Sequence, residues 1–519
     1  MANPFNLANI VYQRARSEPQ QVAVVCAQQV LTYEELALRA CQLMREMVSH
    51  NQWRRPLDRL PRVGILASRS VEACIAVNSA CWAGATFIPL GLKHPQERLS
   101  AIFQQCEFDA LITDSEGEKL LSQGLREYAP VNTVNIHKSL DTHHRLANGN
   151  SFQLEAPYPI GPKDIAYIIF TSGTTGIPKG VMINAAAIRH YISTMTHLLA
   201  LQSTDKAIET CELSFDVSIH NMFTTWSAGA QLHVIPSWQA MNAVKIVQQS
   251  KITVWNSVPS LAGILRQIKA LSPSSMPTLR LSVFGGDQLP TNTVVEWQKA
   301  APHSDIVNLY GPTEATVFCL WQSEITVSSQ TVHRDIVAIG QPLPGNQACI
   351  VNDQGIPVDD FTPGELWIAG DQLADGYLNA AELTAHQFPT LNGQRWYRTG
   401  DLAIKDQSGV FHYLGRLDNQ IKVLGHRVEL EDVDAHVRTV TGSDLIGSVA
   451  WPVMDGMPIG IVSFVCGSVI DTSEAIQILK RRLPAYMVPS RLIELSNMPY
   501  NNHGKVDRKA LRAMLDSEF

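Results

Sequence analysis

Residues 165–180 read Ile165-Ala166-Tyr167-Ile168-Ile169-Phe170 followed by Thr171-Ser172-Gly173-Thr174-Thr175-Gly176-Ile177-Pro178-Lys179-Gly180. The first six residues form a short apolar run that reads as a buried strand, and it opens directly into a loop of glycines and hydroxyl side chains. The glycines allow close backbone approach and unusual φ, the hydroxyls and backbone N–H groups can donate to phosphate oxygens, and Lys179 adds a cation. The loop is therefore a phosphate cradle. It is not a Walker A loop, because Pro178 precedes the lysine and Gly180 stands where a Ser or Thr would hold Mg²⁺. A surface turn would account for any three of these residues, but not for ten in this order after a strand.

Outward from the loop, Leu36 to Val48 shows apolar positions at helical spacing, while Val63-Gly64-Ile65-Leu66 and Phe87-Ile88-Pro89-Leu90 look like short buried strands. Helices alternating with such strands imply α/β layering. Asp141 to Pro162 is rich in His, Asn, Gly and Pro and reads as an exposed connection. After Asp401 comes a hairpin-like stretch through Phe411-His412-Tyr413-Leu414, then a charged segment and about a hundred residues with their own periodicity. The expected organisation is an α/β chain with a large N-terminal domain of layered sheets and helices over residues 1–417 and a small α+β domain over 418–519.

With 519 residues and 45% apolar content, the chain can bury more than one core. A net charge of −7 without a dense Lys/Arg run gives no electrostatic reason to expect nucleic acid or an anionic membrane as partner. The start, Met1-Ala2-Asn3-Pro4-Phe5, is not a signal peptide, and no apolar run reaches the roughly 18 residues of a membrane span, so a cytoplasmic location is expected. Nine scattered cysteines without a C-x-x-C pair argue against a disulfide framework or a zinc site, and His143-His144 lacks companions at ligand spacing.

The phosphate loop stands among further motifs: Leu31-Thr32-Tyr33-Glu34-Glu35-Leu36, Ala83-Gly84-Ala85-Thr86-Phe87-Ile88-Pro89-Leu90, Phe215-Asp216-Val217-Ser218, Asn308-Leu309-Tyr310-Gly311-Pro312-Thr313-Glu314, Gly364-Glu365-Leu366-Trp367, Tyr397-Arg398-Thr399-Gly400-Asp401-Leu402, Gly415-Arg416-Leu417-Asp418-Asn419-Gln420, Leu483-Pro484-Ala485-Tyr486 and Gly504-Lys505-Val506-Asp507-Arg508. In this order and spacing, over nearly the whole chain, the sequence resembles the stand-alone amino-acid adenylation domains of nonribosomal peptide synthetases, within the acyl-CoA synthetase and luciferase superfamily. Gly91, Ala185 and His503 depart from the usual pattern.

That resemblance implies an adenylating ligase. ATP and Mg²⁺ would activate an amino acid as its aminoacyl-adenylate, and the acyl group would pass to the phosphopantetheine thiol of a carrier protein acting in trans. A small activating partner protein belongs to the same expectation. Carboxylate attack on the α-phosphorus meets mutual negative charge, so the site needs a metal, cations and fixed donors. By resemblance, Thr171, Ser172, Gly173, Thr174, Thr175, Gly176 and Lys179 hold the phosphates, and Glu314 with Thr175 holds Mg²⁺. Asn308, Tyr310, Gly311 and Thr313 line the nucleotide site, and Asp401 accepts the ribose hydroxyls. The alternative for Asp401 is a turn or cap residue. Lys505 is the expected catalytic lysine on a mobile small domain, Asp418 its hinge, and Arg416 a ribose–phosphate contact. Gly425 would face the thiol tunnel, with a plain hairpin glycine as competitor.

Asp216 decides the substrate class, because a carboxylate in an apolar pocket is costly unless a cation pairs with it, and the α-ammonium of an amino acid is that cation. A helix-capping role is the alternative. Alignment on the motifs gives a side-chain pocket of Val217, His220, Asn256, Val283, Gly285, Leu309, Val317 and Phe318. His220 and Asn256 either bond within the wall or read a polar substrate side chain. With no acidic pocket residue beyond Asp216, a neutral small-to-medium amino acid is expected. The competing functions are an acyl- or aryl-CoA ligase and a non-catalytic binding module of the same fold.

Overall fold

Thr32 begins the first long helix as the spacing of its apolar residues requires. Its hydroxyl accepts from the Glu35 amide at 3.2 Å while the Glu35 carboxylate accepts from the Thr32 amide at 2.9 Å, a capping box that starts the helix Tyr33–Ser49. In the computed structural model this helix buries Leu36, Ala40, Leu43, Met44 and Met47 and leaves its charged residues outside. The structure describes residues 5–137, 154–172, 178–323, 325, 330–331, 334–467, 471–500 and 506–518.

The chain divides into two compact units: Met1–Leu92, Phe103–Ile169 and Gly180–Gly415 form the first, and Lys93–Ile102, Phe170–Lys179 and Arg416–Phe519 the second. The second unit thus begins at Arg416 and takes in two short segments from earlier in the chain.

Two large sheets organise the layering. One has nine strands in the order Gln341–Pro342, Leu320–Gln322, Asp305–Tyr310, Leu281–Gly285, Val254–Ser257, Lys206–Glu209, Gln231–Val234, Val22–Cys26 and Gln29–Thr32. Its central strands are parallel and buried, which is why they read as apolar runs and not as alternating patterns. The other has seven strands and contains Arg62–Leu66, Thr86–Pro89 and Ile165–Thr171. Thr86–Pro89 pairs in parallel with both neighbours, as the apolar runs around Val63 and Phe87 suggest. A smaller antiparallel sheet pairs Gly364–Gly370 with Gln394–Lys405.

The second unit has a core of its own, built from Val428, Val433, Val437, Ile446, Ile461, Val465 and Leu479. Its three-stranded sheet runs Leu445–Ala450, Ile461–Cys466, Arg491–Glu494, flanked by the helices Leu430–Thr441 and Thr472–Arg482. All nine cysteines are free, seven of them buried. Among the described residues no helix is long and apolar enough to cross a membrane. His143-His144 and most of the Asp141–Pro162 connection lie outside the described residues.

Candidate active site

Asp216 is the first residue of the buried helix Asp216–Ser227. Phe215, not Asp216, occupies the capping position, and the Asp216 carboxylate takes backbone amides of the first turn, its own and that of Val217. Asp216 is buried, and its Oδ2 has no hydrogen-bond partner among the described residues. Burial pushes its carboxyl up to about 6, opposed by the Thr313 hydroxyl that hydrogen-bonds to it and reinforced by nearby Glu314. The buried phenols of Tyr167 and Tyr191 lie within its field, and both are raised well above their ordinary value by burial and then by Asp216.

One turn along, His220 projects from the same helix face as Asp216. Its Nδ1 lies 2.7 Å from the Tyr191 hydroxyl, from the helix Ala185–Leu198, and its ring meets Phe318 edge-on at 5.7 Å between centroids. Burial pushes His220 down to about 3, so the ring is neutral. Its Nε2 has no partner among the described residues.

The nine-stranded sheet supplies the facing wall. Asn256 pairs with Val283, and Gly285 with Leu309, in register across parallel strands, so these four residues share one sheet face. A Cβ at Gly285 would lie 2.5 Å from the Phe318 ring, so the absent side chain is what lets Phe318 close against the sheet. Asn256 is buried with its Oδ1 unpartnered among the described residues. His220 and Asn256 therefore do not satisfy each other. Phe318 follows Thr316 and Val317, at φ 55° and 67°, an uncommon left-handed pair for β-branched residues.

Elsewhere in the first unit, Asp401 lies inside the strand Gln394–Lys405, so it is neither a turn residue nor a helix cap. Residues 399–401 stand opposite Leu366 alone, and this bulge, with Gly400 at φ 70°, sets the direction of Asp401. The Tyr310 hydroxyl donates to Asp401 Oδ2. Asn308 is held by its Nδ2 on the Ala338 carbonyl at 2.8 Å, leaving Oδ1 buried without a partner among the described residues. Gly311 has no room for a side chain, since a Cβ there would sit 2.4 Å from the Val317 carbonyl oxygen. Glu314 is fully buried and accepts from the Tyr377 hydroxyl at 2.8 Å.

Within the second unit, Thr171 Oγ1 is buried without a partner among the described residues, and Ser172 Oγ donates to the Arg427 carbonyl at 3.0 Å. Burial raises Glu429, with Arg427 and Lys179 as the neighbouring cations that oppose the rise. Arg416 grips Asp418 through Nε to Oδ1 at 2.8 Å and Nη2 to Oδ2 at 2.5 Å. Burial alone would raise Asp418, but Arg416 overrides it and holds the carboxyl below its ordinary value. Leu424 and Gly425, at φ 51° and 82°, form the two-residue turn between Gln420–Val423 and His426–Glu429, and that turn by itself accounts for a glycine. Gly173, Thr174, Thr175, Gly176 and Lys505 lie outside the described residues.

A model of the AMP-binding enzyme family matches residues 11–378. The chain belongs to the AMP-binding enzymes. Delta-poly-L-ornithine synthetase of Acinetobacter baumannii is 31% identical over 523 residues, covering 98% of this chain and 36% of that protein. Malpinin synthetase of Mortierella alpina is 30% identical over 538 residues, covering 99% of this chain and 7% of that one. The chain thus spans well under half the length of these two relatives. Among solved structures, the Vibrio cholerae adenylation domain AlmE in complex with glycyl-adenosine-5'-phosphate superposes with a TM-score of 0.86 at 28% identity, covering 100% of this chain and 99% of that one. The α/β architecture is that of adenylation domains, and the chain is an adenylating ligase.

Within this AMP-binding enzyme the structure adds residues that the motifs did not single out. Tyr167 and Tyr191 lie beside Asp216, where they join Thr313 of the Asn308–Glu314 motif, while Tyr377 holds Glu314. Gln372, fully buried, donates from Nε2 to the carbonyls of Ala315, Thr316 and Phe318 at 3.3, 3.4 and 2.7 Å. Tyr167 sits in an apolar strand and Gln372 in a loop beyond a motif, so neither carries a local signal of its role.

Proposed function

We propose that the chain joins ATP to the carboxylate of an amino acid, forming aminoacyl-AMP and pyrophosphate, and then transfers the acyl group to a carrier-protein pantetheine thiol. The observation that carries this reading is Asp216, a buried carboxylate with one oxygen unpartnered among the described residues. Left alone it is unfavourable, and an α-ammonium group offers the compensating charge and hydrogen bonds. Aryl and fatty acids bring no such group.

Chemically, a substrate carboxylate oxygen attacks the α-phosphorus and the bond to pyrophosphate breaks. Thiol sulfur then attacks the acyl carbon and AMP leaves. Asn308 Oδ1 suits the exocyclic amine of adenine, an N–H donor, and Asp401 can accept two ribose hydroxyls while Tyr310 fixes its orientation. Mg²⁺ fits this donor set. Glu314 is a hard oxygen ligand, and no cluster of three ligating side chains occurs among the described residues, as suits an ion bound mainly through phosphates and one or two protein groups. Bound there, Mg²⁺ would offset charge on the phosphates. Lys505 and Lys179 supply cations, and Arg416–Asp418 the hinge before the small domain. The glycyl-adenylate bound by AlmE supports the adenylation step of this reading.

Amino-acid-dependent exchange of labelled pyrophosphate into ATP tests it. Exchange with at least one amino acid is expected, followed by loading of a phosphopantetheinylated carrier. Activation of a des-amino acid with CoA as acceptor, and no exchange with amino acids, would replace it by a CoA ligase.

A further inference from the structure

Two buried polar groups in the side-chain pocket are left without partners among the described residues, His220 Nε2 and Asn256 Oδ1. They approach the Gly285 face of the sheet by different routes. His220 stands on the Asp216 helix with its ring against Phe318, and Phe318 closes on Gly285. Asn256 shares the sheet face of Val283 and Gly285. Phe318 occupies the volume that a side chain at Gly285 would otherwise take, and Val283, Leu309 and Val317 are buried as well.

Tyr191 fixes which hydrogen His220 offers. Its hydroxyl is fully buried, and His220 Nδ1 is the one acceptor found for it among the described residues. If the Tyr191 hydroxyl donates to Nδ1, the ring proton sits on Nε2. The reverse arrangement would strand the Tyr191 proton as well as Nε2, leaving two orphaned groups instead of one. The unpartnered atoms among the described residues are therefore one N–H donor, His220 Nε2, and one carbonyl acceptor, Asn256 Oδ1.

Resting on the amino-acid adenylation reading, we infer that this pocket selects a small hydroxyl amino acid, serine or threonine, with His220 Nε2–H donating to the hydroxyl oxygen and Asn256 Oδ1 accepting the hydroxyl proton. A hydroxyl is the smallest group that supplies one donor and accepts at the same atom. A neutral histidine, with no Lys or Arg among the described lining residues, gives an acidic side chain nothing there to pair with. A basic side chain would find no carboxylate other than Asp216, which the α-ammonium occupies. An alkyl side chain would leave both polar groups dry, the situation in which a site built for a hydroxyl rejects its isostere strongly. Tyr191 is a positioning residue, since it acts through His220.

The test is pyrophosphate exchange across a full amino-acid panel, with kcat/KM compared within the matched pairs serine and alanine, threonine and valine. The expected result is a preference for the hydroxyl member of at least about 100-fold. His220→Leu and Asn256→Leu should each bring the threonine-to-valine ratio close to one. Tyr191→Phe should lower that ratio, whereas a merely structural loss would lower kcat/KM for threonine and valine together and leave the ratio unmoved. Equal or better use of alanine and valine by the unaltered enzyme, or exchange with glycine alone, would overturn the hydroxyl assignment and leave amino-acid adenylation standing. Exchange with no amino acid at all would overturn both. The unaltered enzyme decides the matter even if a variant fails to fold.

Discussion

Replacing Asp216 with Asn should make the free enzyme more stable and less active at once. The carboxyl's rise from 3.8 to about 6 means that its ionised form is disfavoured in the folded protein by about 3 kcal/mol, at about 1.4 kcal/mol for each tenfold. A raised carboxylate destabilises the fold fully above pH 6, progressively less between 6 and 3.8, and not at all below 3.8. Asp216→Asn removes that penalty with little change in shape. Its urea midpoint should therefore exceed that of the parent at pH 8, with an advantage of up to about 3 kcal/mol that falls to about half at pH 5. Activity should move the other way. Without the carboxylate the α-ammonium is buried unpaired, a loss of about 3–5 kcal/mol in kcat/KM for amino acids. A des-amino analogue should lose little. Lower stability of Asp216→Asn at pH 8, or equal losses for amino acid and des-amino analogue, would show that Asp216 serves the fold and not the substrate.

Gln372→Leu leaves the Ala315, Thr316 and Phe318 carbonyls without this donor, so it should cost about 1–3 kcal/mol and raise KM for the amino acid more than KM for ATP, which steady-state exchange kinetics resolves. Tyr310→Phe frees the Asp401 carboxylate from its orienting hydroxyl and should raise KM for ATP about threefold to tenfold without altering amino-acid KM. Lys505→Ala should slow adenylate formation by orders of magnitude and spare thiol loading from supplied adenylate, since it removes a charge interaction made in the transition state. Asp418→Pro should do the reverse, because it fixes φ and breaks the grip of Arg416 at the hinge; single-turnover measurements of the two steps would show equal slowing if no such rotation occurs.

The layered α/β class was legible because its central strands are unbroken apolar runs and the residues from Leu36 to Val48 show helical apolar spacing, both of which are local signals. Asp216 and Asp401 were legible as candidate site residues because each carboxylate stands inside a motif that otherwise reads as strand or helix. The cap and turn alternatives for Asp401 could be set aside only by geometry, since a bulge at 399–401 depends on pairing and backbone angles. Tyr191 and Gln372 were hidden for a different reason. Each acts across more than 25 residues of sequence, on His220 and on 315–318, and such partners are chosen by packing that no local pattern encodes. Gly425 shows the converse: its sequence context invites a functional role, while the hairpin turn already demands a glycine.

The positive φ of Thr316 and Val317 persists because the segment is fixed from three sides. Such angles in β-branched residues cost of order 1–3 kcal/mol each and survive only where the surroundings leave no other course. Before the segment, Tyr310 is paired in the sheet; after it, Leu320 pairs back onto Tyr310, and the Cys319 amide donates to the Tyr310 carbonyl at 2.8 Å. Gln372 then ties down the carbonyls between these ends. The short return this forces passes so close to Gly311 that no side chain fits there, and it delivers Phe318 onto Gly285. Relaxing Thr316 and Val317 to ordinary angles would require releasing one of those ends, and Phe318 would leave the pocket. The backbone strain, the two glycines and Gln372 are thus one device that holds Phe318 against Gly285, beside the helix that carries Asp216 and His220.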